Sequence, residues 1–341
     1  MDRADIVHEN FLRRVGAGDL PGGRAPGGPL TADQARAAFR AGCLSRALDR
    51  QARVMQRGGQ GFYTIGSSGH EGMAAVALAL RADDMAFLHY RDAAFQIARA
   101  GMVAGQDPVR DMLLSFAASA DDPISGGRHK VLGSRALMIP PQTSTIASHL
   151  PKAVGAAFSI GLPRQDHALL ARDGVVMASF GDASVNHSTA QGAFNAAGWA
   201  AFQGAVMPML FVCEDNGIGI STKSPTGWVE ANLRGKPGLT YFAADGLDFY
   251  DCFRIAVEAV EFVRTKRRPA VLHLRMVRLY GHAGADVPTT YLSREEVEAD
   301  EAHDPLLHAV RLMDAAGVME CDEALALYLA AAEEVAARAV E

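Results

Sequence analysis

The sequence has few cysteines and no long apolar run, and each absence excludes a class of protein. It contains four cysteines in 341 residues and no Cys-x-x-Cys pair, so neither a disulfide scaffold nor a cysteine zinc site is expected. No stretch approaches the about 20 apolar residues that a membrane helix needs. The first residues also lack the apolar core of a signal peptide. We therefore expect a cytoplasmic protein without membrane association.

An excess of positive charge is also missing. The 33 lysine and arginine residues are outnumbered by 39 aspartate and glutamate residues, and the basic residues are scattered except for a short run at 266–268. A nucleic-acid partner is therefore not expected. The content of 49% hydrophobic and 21% charged residues is typical of a folded globular chain. Its length allows one large α/β domain or two small ones.

Glycine and proline are concentrated near the N-terminus. Residues 16–30 hold six glycines and three prolines, which leaves little side chain to pack. We therefore predict a flexible N-terminal arm over residues 1–30 and a single domain with a helical C-terminal part over residues 31–341. The domain is expected to begin with a helix, because Thr31 and Gln34 have the spacing of a capping box.

Short continuous apolar runs surround a helical segment in the second half of the chain. Residues 175–180, 207–212 and 271–277 have the composition of strands that are buried on both faces. Residues 189–202, between the first two runs, have a helical pattern, and Asn186 or Ser188 is expected to cap that helix. A strand, a helix and a strand in this order form a crossover unit with parallel strands. We therefore predict an α/β fold with a central, mostly parallel sheet covered by helices on both faces.

Polar side chains follow two of these predicted strands. Asp182 comes after the first strand and Asn216 after the second, at the sheet edge where ligands of open α/β folds bind. A carboxylate and an amide oxygen could share one Mg²⁺ ion, while the backbone N–H groups of Ala183 and Ser184 could donate to a diphosphate. Each dipeptide alone is also a common turn. Together, at the ends of two strands joined by one helix, they favour a metal–diphosphate site.

A family resemblance begins at these residues. Gly181-Asp182-Ala183 followed by Asn216 resembles the thiamine-diphosphate motif, in which Gly-Asp-Gly is followed further along by Asn-Asn. The chain is similar to the alpha subunits of 2-oxo acid dehydrogenases from about residue 31 to about residue 313. Five ordered motifs are more specific than any one of them. The other four are residues 65–72, the pair Tyr90-Arg91, residues 144–155 and the loop at 280–286.

The resemblance implies a thiamine-diphosphate-binding fold with a defined set of ligand contacts. The Mg²⁺ ligands would be Asp182, Asn216 and the backbone carbonyl of Ile218. The diphosphate contacts would be Tyr90, Arg91 and His282, and His282 is also the candidate catalytic residue. The planar guanidinium of an arginine suits phosphate oxygens because it keeps its charge and donates from a fixed fork.

The remaining implied contacts concern the organic part of the cofactor and a possible second cation. The backbone carbonyl of Ile146 would accept a hydrogen bond from the aminopyrimidine amine. Ser144, Ser148 and His149 match positions that some family members use for a potassium ion, and that ion is left open here. The other expected cofactor contacts are Ser144, Gly181, Ala183 and Ser184.

The resemblance also implies a reaction and partners. Thiamine diphosphate and Mg²⁺ would support oxidative decarboxylation of a 2-oxo acid, with transfer of the acyl group to a lipoyl group on a dihydrolipoyl acyltransferase component. In this family a separate beta subunit supplies the glutamate that protonates the aminopyrimidine, in an α2β2 heterotetramer. We therefore expect the chain alone to bind cofactor weakly and to have no activity. A branched-chain 2-oxo acid is favoured, while pyruvate, acetoin and a fused alpha–beta polypeptide remain open.

Three positions depart from the family pattern, and two other functions remain as alternatives. Ala183 stands where glycine is usual, Asp215 replaces the first asparagine of the pair, and Ala283 replaces a serine that is phosphorylated in mitochondrial relatives. An NAD-dependent dehydrogenase is suggested by Gly217 and Gly219 after a strand, although the third glycine is missing. A non-catalytic scaffold that has lost thiamine binding is suggested by Ala183 alone.

Overall fold

A parallel sheet lies at the centre of the computed structural model, which describes residues 2–62, 65–128, 131–143, 145–163 and 169–341. The strands are, in chain order, β1 (Met85–Phe87), β2 (Val176–Gly181), β3 (Met209–Asp215), β4 (Ile218–Gly219), β5 (Thr222–Lys223), β6 (Thr240–Asp245) and β7 (Ala270–Arg275). Five of them pair in the order β1-β2-β3-β7-β6, and every neighbouring pair is parallel. β4 and β5 form a separate antiparallel hairpin. The predicted central sheet is confirmed.

The described residues also form twelve α-helices and two short 3₁₀ turns. The helices are α1 (Arg3–Gly16), α2 (Ala32–Arg57), α3 (Met73–Ala79), α4 (Ala93–Ala100), α5 (Pro108–Phe116), α6 (His149–Ser159), α7 (Ser188–Phe202), α8 (Trp228–Arg234), α9 (Phe249–Lys266), α10 (Arg294–Ala302), α11 (Pro305–Ala315) and α12 (Cys321–Arg338). The 3₁₀ turns are Asp182–Asn186 and Pro288–Thr290. None of the described helices combines the length and the apolar character that crossing a bilayer requires.

Different helices cover the two faces of the sheet, because alternate residues of a strand point to opposite sides. On one side, Met177 and Val212 belong to a large buried cluster with residues of α2, α3, α4 and α9. On the other side, Ala178, Phe180 and Phe211 pack with residues of α6 and α7. The expected covering of both faces is therefore confirmed.

Helix starts are set by local hydrogen bonds, and one of the two predicted starts needs correction. The capping box of α2 forms as expected, since Gln34 N donates to Thr31 Oγ1 at 3.3 Å and Thr31 N donates to Gln34 Oε1 at 3.1 Å. The start of α7 was expected to be capped by Asn186 or Ser188. It is capped instead by His187, whose Nδ1 accepts a hydrogen bond from the N–H of Thr189 at 3.2 Å.

The N-terminal segment differs from the expected flexible arm. Its first half is the helix α1, whose residues Val7, Phe11 and Val15 are buried. The ring of Phe11 packs against Tyr328 of α12 with a centroid separation of 4.3 Å. Residues 17–30 contain no helix or strand. Of the breakers concentrated in 16–30, only Gly16 belongs to α1, as its last residue. The helix itself has apolar residues four positions apart on one face. The assignment of residues 31–341 to a single domain stays a prediction.

The crossover unit β2–α7–β3 aligns the ends of two neighbouring strands. β2 and β3 pair in parallel from Val176 with Met209 to Gly181 with Glu214. The residues that follow the two strands, Asp182 and Asn216, therefore leave the sheet at the same edge.

Candidate functional site

A cleft of about 780 Å³ opens at the carboxyl ends of β2 and β3. It is lined by every described residue that the sequence analysis assigns to Mg²⁺ or to thiamine diphosphate. Ser148 and His149, considered for potassium, do not line it, and Ser144 lies outside the described residues. This agreement concerns position, and the predicted ligand roles stay predictions. The candidates that line the cleft are Tyr90, Arg91, Ile146, Gly181, Asp182, Ala183, Ser184, Asn216, Ile218 and His282.

One part of the cleft carries oxygen donors suited to a hard cation. Asp182 begins the 3₁₀ turn after β2 and is almost fully buried, and its Oδ2 accepts a hydrogen bond from Ser224 Oγ at 2.6 Å. Burial raises the pKa of this carboxyl group, and a bound cation would oppose that shift. Asn216 Oδ1 accepts from the N–H of Ile218 at 3.2 Å. A carboxylate, an amide oxygen and a backbone carbonyl are the ligand types that Mg²⁺ takes, so the donor set fits such an ion.

Another part of the cleft carries a buried positive charge. Arg91 is 2% exposed, yet no carboxylate of the described residues lies within 4.0 Å of its guanidinium nitrogens. Its donors go to neutral groups, namely the carbonyl of Gly66, the carbonyl of His282 at 3.1 Å and Nδ1 of His282 at 3.3 Å. A buried charge without a counter-charge is costly. The arrangement therefore fits an anionic ligand such as a diphosphate.

His282 is held in a single neutral form beside this charge. Burial and the charge of Arg91 lower the pKa of His282 to about 4. Because Arg91 donates to Nδ1, the remaining ring proton lies on Nε2, which is then a neutral donor. Its backbone N–H donates to Asp286 Oδ2 at 2.6 Å, which fixes the loop after β7.

A buried cluster of two histidines and a glutamate, of which His89 lines the cleft, was not predicted from the sequence. Potential ligand atoms of His70, His89 and Glu214 all lie within 4.8 Å of one another. Glu214 Oε2 is 2.5 Å from His70 Nδ1, and Glu214 Oε1 is 3.2 Å from His89 Nδ1. Burial alone would raise the pKa of Glu214, but His89 and the hydrogen bond from His70 bring it below its ordinary value. A glutamate at the end of an apolar strand run was the available signal, because a buried carboxylate needs partners.

Asp215 replaces the first asparagine of the family's pair, and its side chain makes its contacts outside the main cleft. Asp215 Oδ1 accepts from the N–H of Gly217 at 3.0 Å, and Oδ2 lies 2.8 Å from His273 Nε2. His273 Nδ1 lies in turn 2.8 Å from the hydroxyl of Tyr241. These three side chains line a neighbouring cavity of about 450 Å³. Asp215 therefore stabilises the loop that carries Asn216 and does not line the main cleft.

The departure at Ala183 is matched by a glycine across the cleft. A Cβ atom added to Gly219 would lie 2.6 Å from Cβ of Ala183. The methyl group of Ala183 thus occupies space that a side chain at position 219 would need. The site tolerates alanine at 183 because β4 has glycine at the opposing position.

Two of the three positions considered for potassium already have hydrogen-bond partners. Ser148 Oγ is 2.7 Å from Thr143 Oγ1, and Nε2 of His149 donates to the carbonyl of Ser179 at 2.7 Å. The third, Ser144, is not among the described residues. The potassium site stays an open prediction.

Comparisons with known proteins bear on the family of the chain. The family model described as "Dehydrogenase E1 component" matches residues 40–340. A 2-oxoisovalerate dehydrogenase subunit alpha of Bacillus subtilis (strain 168) is 30% identical over 289 residues, which are 82% of this chain and 81% of the relative. A pyruvate dehydrogenase E1 component subunit alpha of Zymomonas mobilis is 32% identical over 182 residues, 52% of this chain and 48% of the relative. A mitochondrial 2-oxoisovalerate dehydrogenase subunit alpha of Caenorhabditis elegans is 26% identical over 74% of this chain and 55% of the relative.

Proposed function

Because the chain belongs to the dehydrogenase E1 component family, we propose that it is the alpha subunit of a thiamine-diphosphate- and Mg²⁺-dependent 2-oxo acid dehydrogenase. The observation that carries this proposal is one cleft with two kinds of binding group. Oxygen donors suited to Mg²⁺ and the buried, unpaired charge of Arg91 line the same space of about 780 Å³. A diphosphate that binds together with a metal ion needs both the oxygen ligands and the positive charge.

Each end of the cleft would do a separate part of the binding. Asp182, Asn216 and the carbonyl of Ile218 would hold the metal ion. Arg91, with Tyr90 beneath its guanidinium at 5.0 Å from the ring centroid, would bind the diphosphate together with Nε2 of His282. Ile146 would support the aminopyrimidine ring. When bound, thiamine diphosphate supplies the electron sink that allows a 2-oxo acid to lose carbon dioxide.

The site requires a second polypeptide. The described residues that line the cleft include no glutamate, and Glu71 is fully buried against Arg46 and the N–H of Gly69. The acid that protonates the aminopyrimidine would therefore come from a beta subunit. Exposed aromatic residues on α7, Trp199 at 65% and Phe202 at 69%, support such an interface. We propose an α2β2 assembly that acts with a dihydrolipoyl acyltransferase component in the cytoplasm.

A branched-chain 2-oxo acid is the proposed substrate, supported by the name and coverage of the Bacillus subtilis relative. Pyruvate is the second candidate because of the Zymomonas mobilis relative, and acetoin is the third. The NAD-dependent alternative is disfavoured by the chain after Gly217, which forms the β4–β5 hairpin where a dinucleotide fold needs a helix. The scaffold alternative is disfavoured because the oxygen donors and Arg91 remain in place.

Calorimetric titration with thiamine diphosphate and Mg²⁺ tests the binding part of the proposal. The full chain should bind weakly alone and more tightly with its beta subunit. Asp182→Asn should weaken binding by about tenfold or more, because it removes the anionic metal ligand. Asp173→Asn, at an exposed carboxylate paired with Arg81, is the matched control and should bind like the wild type.

Activity of the reconstituted pair against branched 2-oxo acids, pyruvate and acetoin, with an artificial electron acceptor, then selects the substrate. Appreciable decarboxylation by the purified chain alone would contradict the need for a partner. No thiamine diphosphate binding with the beta subunit present would favour the scaffold. Tight binding of a dinucleotide without Mg²⁺ dependence would favour the NAD-dependent enzyme.

A further inference from the structure

A chain of hydrogen bonds leads from the buried Glu214 to the proposed metal ligand Asn216. His70 is fully buried between them. Its Nδ1 lies 2.5 Å from Glu214 Oε2, and its Nε2 lies 3.1 Å from Asn216 Nδ2. Both ring nitrogens of His70 are thus engaged, one by an acceptor and one by a donor.

The donor and acceptor roles along this chain are determined by chemistry. The amide nitrogen of Asn216 can only donate, so Nε2 of His70 must be the acceptor and carry no proton. The single ring proton is then on Nδ1, where it is donated to the carboxylate of Glu214. Both oxygens of a carboxylate accept, so Glu214 accepts the Nδ1 proton whichever oxygen faces His70. A side-chain amide in its place could turn its NH₂ group to the histidine and would not hold the proton on Nδ1.

The orientation of Asn216 depends on this tautomer. The oxygen and nitrogen of an amide have nearly the same size, so hydrogen bonding, and not shape, decides which atom points where. With the proton of His70 on Nδ1, Asn216 directs its NH₂ group to the histidine. Its Oδ1 is then directed to the side of Ile218, whose N–H it accepts at 3.2 Å. With the proton on Nε2, two donors would face each other between His70 and Asn216, and the amide could relieve this only by turning its NH₂ group against the N–H of Ile218.

We propose that His70 is a positioning residue that orients the side-chain amide of Asn216. Glu214 gives His70 this role by holding its ring proton on Nδ1. This inference rests on the proposed function, since it concerns the Mg²⁺ ligand of that site. An amide oxygen attracts a divalent cation, while an NH₂ group in its place repels it. Hydrogen-bond partners behind a metal ligand commonly change metal affinity by about 10–100-fold when they are removed.

The competing interpretation is that His70, His89 and Glu214 themselves bind a metal ion. The geometry does not favour it. Two ligands at about 2.0–2.2 Å from one tetrahedral ion stand well over 3 Å apart, whereas His70 Nδ1 and Glu214 Oε2 are 2.5 Å apart. That separation is a charge-assisted hydrogen bond.

Two substitutions at position 70 separate positioning from mere packing. His70→Leu keeps the site filled but removes the acceptor for Asn216. His70→Gln restores both contacts, because its amide oxygen can accept from Asn216 while its NH₂ group donates to Glu214. His308→Gln, at a half-buried histidine of α11 outside the cleft, is the matched control.

The first measurement is the affinity for Mn²⁺, a spectroscopic substitute for Mg²⁺, followed by electron paramagnetic resonance with thiamine diphosphate and the beta subunit present. His70→Leu should weaken Mn²⁺ binding by about tenfold or more, while His70→Gln and His308→Gln should stay near the wild type. Equal Mn²⁺ affinity of the wild type and His70→Leu would overturn the positioning role of His70 but leave the proposed function standing. No Mn²⁺ binding by the wild type would overturn the proposed function together with the inference.

The second measurement needs only the wild-type fold. Long-range ¹H–¹⁵N spectra report the tautomer of each imidazole, and the His70 signal is assigned by its loss in His70→Gln. The expected signal is a neutral ring with the proton on Nδ1. A proton on Nε2, or one equivalent of zinc in the purified protein that is lost in His70→Gln, would overturn the inference.

Discussion

Replacement of Arg46 should destabilise the protein strongly, because this residue joins three separate elements in the interior. Arg46 lies on α2 and is 1% exposed. Its guanidinium donates to Glu71 Oε1 at 2.8 and 2.6 Å, and to the two carboxylate oxygens of Asp304, the N-cap of α11, at 2.8 and 2.9 Å. Arg46→Met would fill the space but leave two buried carboxylates without their counter-charge.

The size of the effect follows from the cost of breaking a buried ion pair. Removing one partner of such a pair costs about 3–5 kcal/mol. At about 2.1 cal/mol/K per residue, the 341 residues give an unfolding entropy of about 0.7 kcal/mol/K. The expected fall in Tm is therefore about 4–7 °C, measured by calorimetry at pH 8.

The pH dependence of the variant gives a second check on the same reasoning. Burial raises the pKa of Glu71 above its ordinary value even with Arg46 beside it. Without Arg46 that pKa must rise further, so the folded variant holds a proton that the unfolded chain releases above about pH 4.5. The variant is therefore less stable at pH 8 than at pH 6, and its deficit in Tm against the wild type should shrink on acidification.

Arg36→Met is the control, because the Arg36–Glu323 pair is at the surface and should leave Tm unchanged. Arg46→Lys should fall between the wild type and Arg46→Met, since it keeps the charge but loses the fork of donors. A fall in Tm of less than about 2 °C for Arg46→Met, or the same fall for Arg36→Met, would refute the argument.

Two further predictions concern the backbone and acid stability. Gly69→Ala should destabilise the chain by about 1–3 kcal/mol or more, measured as a lower denaturation midpoint. Gly69 has φ +102°, and a Cβ atom there would lie 1.9 Å from the carbonyl oxygen of Val277. Gly105→Ala, also at positive φ but with open space around it, should destabilise the chain less. Burial lowers the pKa of His308 to about 4 from 6.5, so unfolding between these pH values takes up a proton there and stability falls as the pH drops through this window. His308→Gln should therefore reduce the proton uptake on unfolding at pH 5 by about one, and an unchanged uptake would contradict the buried neutral histidine.

The interior of the sheet was predictable, whereas its edges were not. The central strands β2, β3 and β7 lie within one to three residues of the predicted runs because both of their faces are covered, so their apolar residues are continuous. β1 has only three residues, and no residue of β6 is fully buried. Such strands lack the continuous apolar run of a central strand. Their positions are set by pairing with neighbours far along the chain.

The position of the candidate site followed from the sequence, but the groups behind it did not. The cleft gathers residues that follow the predicted strands, because parallel strands end at one edge of a sheet. The pairing of His70 with Glu214 joins positions 144 residues apart, and no periodicity or local motif predicts such a contact. Glu214 follows Cys213 at the end of the apolar run, and its burial requires partners, but the sequence does not indicate which residues these are.

Two of the three departures from the family pattern, Ala183 and Asp215, have a compensating residue, but it is Arg91 that bears on the scaffold alternative. Ala183 is opposite Gly219, where any side chain would collide with its methyl group. Asp215 has His273 as its partner in the neighbouring cavity. These matches would be needed in any folded chain, whereas a cleft that no longer bound a ligand would have no physical need for a buried Arg91 without a carboxylate partner in the described part of the chain. Arg91 therefore favours a site that still binds an anion over a fold that has lost its ligand.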